Sequence, residues 1–130
     1  MGSYVIDVII PVFNCKQYIS QALRSVQCQT LSVSRIIVAD DGSTDGTIQS
    51  VEALMCTDER ITILKLPHRG VSAARNAGIA ASSSQYIAFL DADDIWLPEK
   101  LERQVEVLAL AENDIGFVHS SYFCIDKNGL

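Results

Sequence analysis

Tyr86-Ile87-Ala88-Phe89-Leu90-Asp91-Ala92-Asp93-Asp94 is the stretch on which the reading of this chain turns. An apolar run that halts at three carboxylates reads as a buried strand carrying acids to its carboxyl end. In extended backbone alternate side chains share a face, which predicts that Asp91 and Asp93 point the same way across the small Ala92. Two hard oxygen ligands on one side of a strand end suit Mg²⁺ or Mn²⁺ that also holds a phosphate. Spacing alone equally fits a polar turn in which Asp93 or Asp94 caps the next helix.

The flanking sequence bears on that choice. Val5 to Ile10 is rich in β-branched residues and runs into Pro11, which predicts a first strand followed by a loop. Ile19, Ala22, Leu23 and Val26 fall at helical spacing between Lys16 and about Gln29, with Asn14 as cap. Arg35 to Ala39 is the second strand, and Asp40 to Gly46 the acidic loop behind it. Ile48, Val51 and Met55 then mark a helix capped by Ser43 or Thr44. Arg60 to Leu66 reads as a third strand stopped by Pro67, and a small-residue helix runs from Ala73 to about Ala81, opened by Gly70 and Ser72.

Pro98 suits a first helical position ahead of Leu101, Val105 and Leu108. Ile115 to His119 predicts a fifth strand, and Tyr122 to Leu130 a sixth with a turn at Lys127-Asn128-Gly129. Strands and helices alternate, so the expected fold class is α/β: a three-layer, Rossmann-like, mostly parallel sheet with helices on both faces. Such sheets bind ligands beyond the carboxyl ends of their strands. Three polar clusters lie at three such ends, Pro11 to Asn14, Asp40 to Asp45 and Asp91 to Asp94, which favours a site over turn chemistry.

With 130 residues the chain is one domain, and 48% hydrophobic against 20% charged residues suits a folded one. A net charge of -6 argues against nucleic acid or an anionic membrane surface as partner. Cys15, Cys28, Cys56 and Cys124 show no paired short spacing, so they read as small buried hydrophobes in a reducing, cytoplasmic setting. Nothing in the sequence approaches a membrane span.

Four segments carry a resemblance to the family 2 nucleotide-sugar glycosyltransferases, which have the GT-A fold. They are Val8-Ile9-Ile10-Pro11-Val12-Phe13-Asn14, Val38-Ala39-Asp40-Asp41-Gly42-Ser43-Thr44-Asp45, Gly70-Val71-Ser72-Ala73-Ala74-Arg75-Asn76-Ala77-Gly78 and Phe89-Leu90-Asp91-Ala92-Asp93-Asp94. They occur in family order over roughly Val5 to Leu108.

The resemblance implies that Asp41 receives the base, usually uracil, and that Pro11, Phe13 and Asn14 line base and ribose. It implies Asp91 at the ribose or a metal-bound water, Asp93 on a Mn²⁺ or Mg²⁺ ion bridging the diphosphate, and Arg75 near the phosphates. A helix-surface ion pair is the competing reading of Arg75. The implied reaction is transfer of a sugar, with inversion, from a nucleotide-sugar donor to a saccharide or other hydroxyl acceptor, the cation and Arg75 stabilising the leaving diphosphate. Lys16 stands where many relatives have an acid.

No general base is identifiable; Asp94 and Asp114 qualify by chemistry only. The chain is therefore expected to be the donor-binding half of a longer enzyme, with a noncatalytic nucleotide-binding module as the alternative. An open sheet edge would favour pairing between two copies. A phospho-receiver module fits poorly, because its acid pair follows the first strand and here Asp40-Asp41 follows the second. His68 and His119 lack partners at ligand spacing and read as structural, Trp96 as an anchor of the last helix, Asp45 as first-turn helix chemistry. Glu99, Glu102, Arg103 and Glu106 read as a solvated helix face.

Overall fold

The computed structural model describes residues 3–111 and 115–129. Asp114 and Leu130 lie outside the described residues. The element order is β1 (Ile6–Val12), α1 (Ile19–Gln27), β2 (Arg35–Asp40), α2 (Thr47–Met55), β3 (Ile61–Lys65), α3 (Val71–Ala81), β4 (Tyr86–Phe89) and α4 (Lys100–Leu110). The four strands form one all-parallel sheet in the order β3-β2-β1-β4. The order reverses at β1, and sheets of this kind bind ligands beyond the carboxyl ends of the strands at such a reversal.

Side-chain alternation builds both faces of this sheet. Val8, Ile10 and Val12 of β1 join Ile36 and Val38 of β2 in one core with Ile19, Leu23 and Val26 of α1 and Val51 of α2. Each such fully buried aliphatic side chain contributes roughly 1.5–3 kcal/mol. Ile9 and Ile37 face the other way, toward α3, which packs on β1 and β2. A Cβ at Gly78 would lie 2.5 Å from Ile9 Cγ2, so α3 approaches β1 more closely than any other residue permits. That approach also fixes where Arg75, one turn earlier, leaves the helix.

Pro11 does not end the first strand; it is buried inside β1, paired in register with Ala39. Backbone groups alternate sides along a strand. Ile9 O accepts from Leu90 N on the β4 side, and Val12 O accepts from Asp41 N on the β2 side. The nitrogen of Pro11 therefore faces β4, whose pairing has stopped at Phe89, and its missing N–H costs nothing.

Several local expectations are corrected. Asn14 does not cap α1, which begins at Ile19 after a turn in which Tyr18 and Ile19 both donate to Cys15 O. Ser43 and Thr44 do not cap α2; Asp45 Oδ1 accepts the Thr47 N–H instead. Pro98 sits in a turn two residues before α4, whose start is held by the buried Gln29 side chain: its Oε1 accepts from Leu101 N while its Nε2 donates to Leu97 O. Trp96 is in the core, as expected, with Lys100 Nζ 4.4 Å from its ring centre.

Ile115–His119 and the segment from Tyr122 form no strand among the described residues. An alternating pattern makes a strand only where a neighbour supplies ladder bonds, and Phe117, Tyr122 and Phe123 stand open to solvent. The turn at the end does form, Gly129 N donating to Asp126 O. The cysteines are free as expected, but only Cys15 is partly buried. Cys28 and Cys56 cap the ends of α1 and α2, where the chain leaves the core, and Cys124 lies in the exposed segment. Among the described residues no helix is long and apolar enough to cross a membrane.

Candidate functional site

Two loops, one after β1 and one after β2, are latched together beyond the sheet. Asn14 N donates to Ser43 Oγ at 2.9 Å, and Asn14 Oδ1 accepts from Thr44 N at 2.8 Å. Asn14 takes a left-handed backbone, φ 49°, which an Asn tolerates better than other side chains. Cys15 N donates to Thr47 Oγ1 at 3.0 Å, Lys16 N donates to Asp45 Oδ2 at 3.1 Å, and the Thr47 hydroxyl donates to Asp45 Oδ1. These bonds from Thr47 and from the Lys16 and Thr47 amides hold the Asp45 carboxyl below its ordinary range. Asp40, almost fully buried, braces the second loop from beneath by accepting from Gly42 N and Ser43 N through Oδ2.

Asp41 is the centre of a second knot. Its Oδ1 accepts the Arg69 N–H at 2.8 Å, and its Oδ2 accepts the Gly70 N–H at 2.9 Å. His68 Nδ1 lies 3.0 Å from Oδ2 and 3.0 Å from the Asp41 carbonyl oxygen. The Arg69 N–H first, then those of Gly70 and His68, outweigh burial and hold the Asp41 carboxyl below its ordinary range. Gly70 reaches this position at φ 97°, open only to glycine without strain. Phe13 leaves the end of β1 and stacks on the His68 ring, centroids 4.3 Å apart and planes 28° apart.

The third region is the acidic turn. Strand pairing ends at Phe89, and Asp94 N closes a turn onto Asp91 O, so Asp91 and Asp93 are not held in extended backbone. Both are nevertheless exposed on either side of the buried Ala92. Asp91 Oδ1 accepts from Arg75 Nη2 at 2.8 Å, which joins two of the expected residues in one half-exposed pair. Among the described residues Asp93 accepts no hydrogen bond and joins no ion pair. Partial burial, then the charges of Asp93 and Asp91, push the Asp94 carboxyl upward. Burial, then the charges of Asp93 and Asp45, raise the Cys15 thiol.

Among the described residues no three His, Cys, Asp or Glu side chains form a ready cation cage. Asp91 and Asp93 still fit a hard divalent ion, since they offer exposed carboxylate oxygens in a crowded negative field and leave coordination positions for substrate oxygens. Of the residues singled out in the sequence, Phe13 and Asp41 meet at His68, Asn14 binds the second loop, and Arg75 meets Asp91. Pro11 lies beneath them, buried in β1. Sequence reasoning missed Thr47, the Arg69 and Gly70 amides, and His68. Only Gly70, as a turn glycine opening a helix, carried a signal for one of these contacts.

A family model described as "Glycosyl transferase family 2" matches residues 7–129. An Escherichia coli protein named UDP-Glc:alpha-D-GlcNAc-diphosphoundecaprenol beta-1,3-glucosyltransferase WfgD is 35% identical, over 100% of this chain and 50% of its own length. A second E. coli beta-1,3-glucosyltransferase, WfaP, is 33% identical over 95% of this chain and 48% of its own. The chain thus spans about half the length of these curated relatives. The crystal structure of S. aureus TarS in complex with UDP-GlcNAc superposes with a TM-score of 0.73 at 26% identity, over 81% of this chain and 31% of that one. Mannosyltransferase PcManGT from Pyrobaculum calidifontis, in complex with GDP-Man and Mn²⁺, superposes with a TM-score of 0.78 at 25% identity, over 84% and 33%. The architecture is that of the GT-A glycosyltransferases.

Proposed function

The chain belongs to glycosyl transferase family 2, and on that premise we propose that it binds the nucleoside diphosphate of a nucleotide sugar for inverting transfer to an acceptor hydroxyl. The observation that carries this reading is Asp41, an ionised carboxylate fixed by two backbone amides beside an exposed aromatic face at the switch point of the sheet. A carboxylate there takes a ring N–H. Uracil and guanine offer one beside a carbonyl, whereas cytosine and adenine offer a ring acceptor. Two relatives in the comparison are named for UDP-Glc, and TarS was solved with UDP-GlcNAc, so we favour a UDP-sugar donor.

In this reading Phe13 carries the base, and the latched loops with Asn14 hold the ribose side. Asp91 and Asp93 face the diphosphate. Arg75 exchanges its bond to Asp91 for phosphate oxygens, supplying fixed donors where negative charge grows as the glycosidic bond breaks. A Mn²⁺ or Mg²⁺ ion held by Asp93 and Asp91 would add Lewis-acid stabilisation of the leaving diphosphate. We place the general base that activates the acceptor outside the described residues. We propose a saccharide hydroxyl as acceptor, as in the diphosphoundecaprenol-linked GlcNAc named for the E. coli relatives, and the inner face of the membrane as the place of work.

Calorimetric titration with UDP, GDP, CDP and ADP in the presence of Mn²⁺ tests the donor reading. UDP is expected to bind, and CDP and ADP to bind at least roughly tenfold more weakly, since a mismatched base leaves Asp41 facing a second acceptor. Equal binding of all four would contradict it. Transfer of sugar by a longer chain, lost with Asp93→Ala, tests the catalytic half of the proposal.

A further inference from the structure

We propose that the His68 imidazole is an intramolecular stand-in for the nucleobase, resting on Phe13 and Asp41 when the site is empty and displaced when a base enters. The inference rests on the base-binding reading of Asp41 above. His68 makes the two contacts expected of the base. Its Nδ1 faces two acceptors, Asp41 Oδ2 and Asp41 O, each at 3.0 Å, so Nδ1 carries the proton and donates it. Its ring lies on Phe13 at a centroid distance of 4.3 Å. A planar ring with a ring N–H on a carboxylate and a π face on an aromatic is the chemical outline of a bound uracil.

The gap between the two rings has no room for a base. Inserting a base between Phe13 and His68 needs roughly 7 Å, two van der Waals layers, against the 4.3 Å observed. Nor does Asp41 have much capacity left. A carboxylate offers about four acceptor positions; the Arg69 amide, the Gly70 amide and His68 use three, and the side chain is 4% exposed. Two of those donors are backbone and cannot leave without unwinding the start of α3. His68, held through its side chain and 62% exposed, is the one that gives way. Exchange then replaces one N–H···O bond and one stack by another of the same kind. A base without a ring N–H regains the stack but not the bond to Asp41, so cytosine and adenine complete only half of the exchange.

The test compares UDP binding, with Mn²⁺ present, in the wild-type chain, His68→Ala, Phe13→Ala and Asp41→Asn. Removing a competitor predicts that His68→Ala binds UDP roughly three- to tenfold more tightly, the worth of one net hydrogen bond. It predicts no change in the preference for UDP over CDP, because the stand-in must leave for either base. Phe13→Ala and Asp41→Asn bind more weakly. If His68→Ala binds UDP no better than wild type while Asp41→Asn binds worse, the stand-in falls and the base reading survives. If Asp41→Asn binds as wild type does, or neither wild type nor His68→Ala binds UDP, the base reading falls and takes the stand-in with it.

Discussion

The two halves of the site are built in opposite ways. Around Asn14, Asp41 and Thr47, loops from β1 and β2 and the start of α3 bind one another through backbone amides that would otherwise lack partners. Around Asp91 to Asp94, carboxylates repel one another, and among the described residues the one bond across to another element is a half-exposed pair with Arg75. The first region is finished by the protein. The second has the form of a half-built site, which under the proposed function a cation and the phosphates of the donor would complete. Stability and ligand binding are therefore expected to separate between them, with the base end serving both and the acidic end serving binding alone.

The sharpest way to break that contrast is Thr47→Val. The substitution keeps shape but removes the hydroxyl that accepts from Cys15 and donates to Asp45, stranding a partly buried amide. A loss of about 1–3 kcal/mol is expected, read from urea unfolding. A stability equal to wild type would mean that the latch contributes nothing.

Asp41→Asn comes next and has a pH signature. The folded carboxyl lies below its unfolded value, so its contribution is fully present above an unfolded pKa of about 3.9 and is lost as pH falls through the folded value. Asp41→Asn is expected to be less stable at neutral pH and to lose less on acidification below about pH 4, the window set by that unfolded value. Parallel stability curves for the two chains would remove Asp41 from the acid transition.

Smaller effects are expected at the other end. Arg75→Gln breaks a half-exposed pair and should change stability by less than about 1 kcal/mol, while weakening UDP and sparing uridine. Asp93→Ala should leave stability within about 0.5 kcal/mol of wild type. It should also lower the proton affinity of Asp94 in an NMR titration, because one of the two charges that raise it has gone, though burial remains. An unchanged Asp94 titration would show that the two carboxylates do not sense each other.

The same contrast explains what was legible in the sequence. The three strand ends and their polar clusters could be read because apolar runs of strand length lead into them, and the parallel sheet followed from their alternation with helical patterns. Asp91, Asp93, Arg75 and Asp41 stood out by residue type and motif. The latch did not, because Thr47 acts through its hydroxyl on an amide of another loop, and the Arg69 and Gly70 amides act through backbone geometry, neither of which a spacing encodes. The contacts of His68 were hidden for the same reason: its partners come from two other loops. Pro11 looked like a strand terminator because sequence does not show that β4 ends before reaching it. Residues 115–119 have a strand's composition without a neighbour to pair with among the described residues.

The most direct test of a finished base end and an unfinished acidic end is calorimetry with uridine and UDP, each with and without Mn²⁺, on wild type and Asp93→Ala. The account predicts that uridine binds weakly and equally in all four conditions, while Mn²⁺ strengthens UDP binding in wild type only. Uridine binding that needs Mn²⁺, or that disappears with Asp93→Ala, would contradict it.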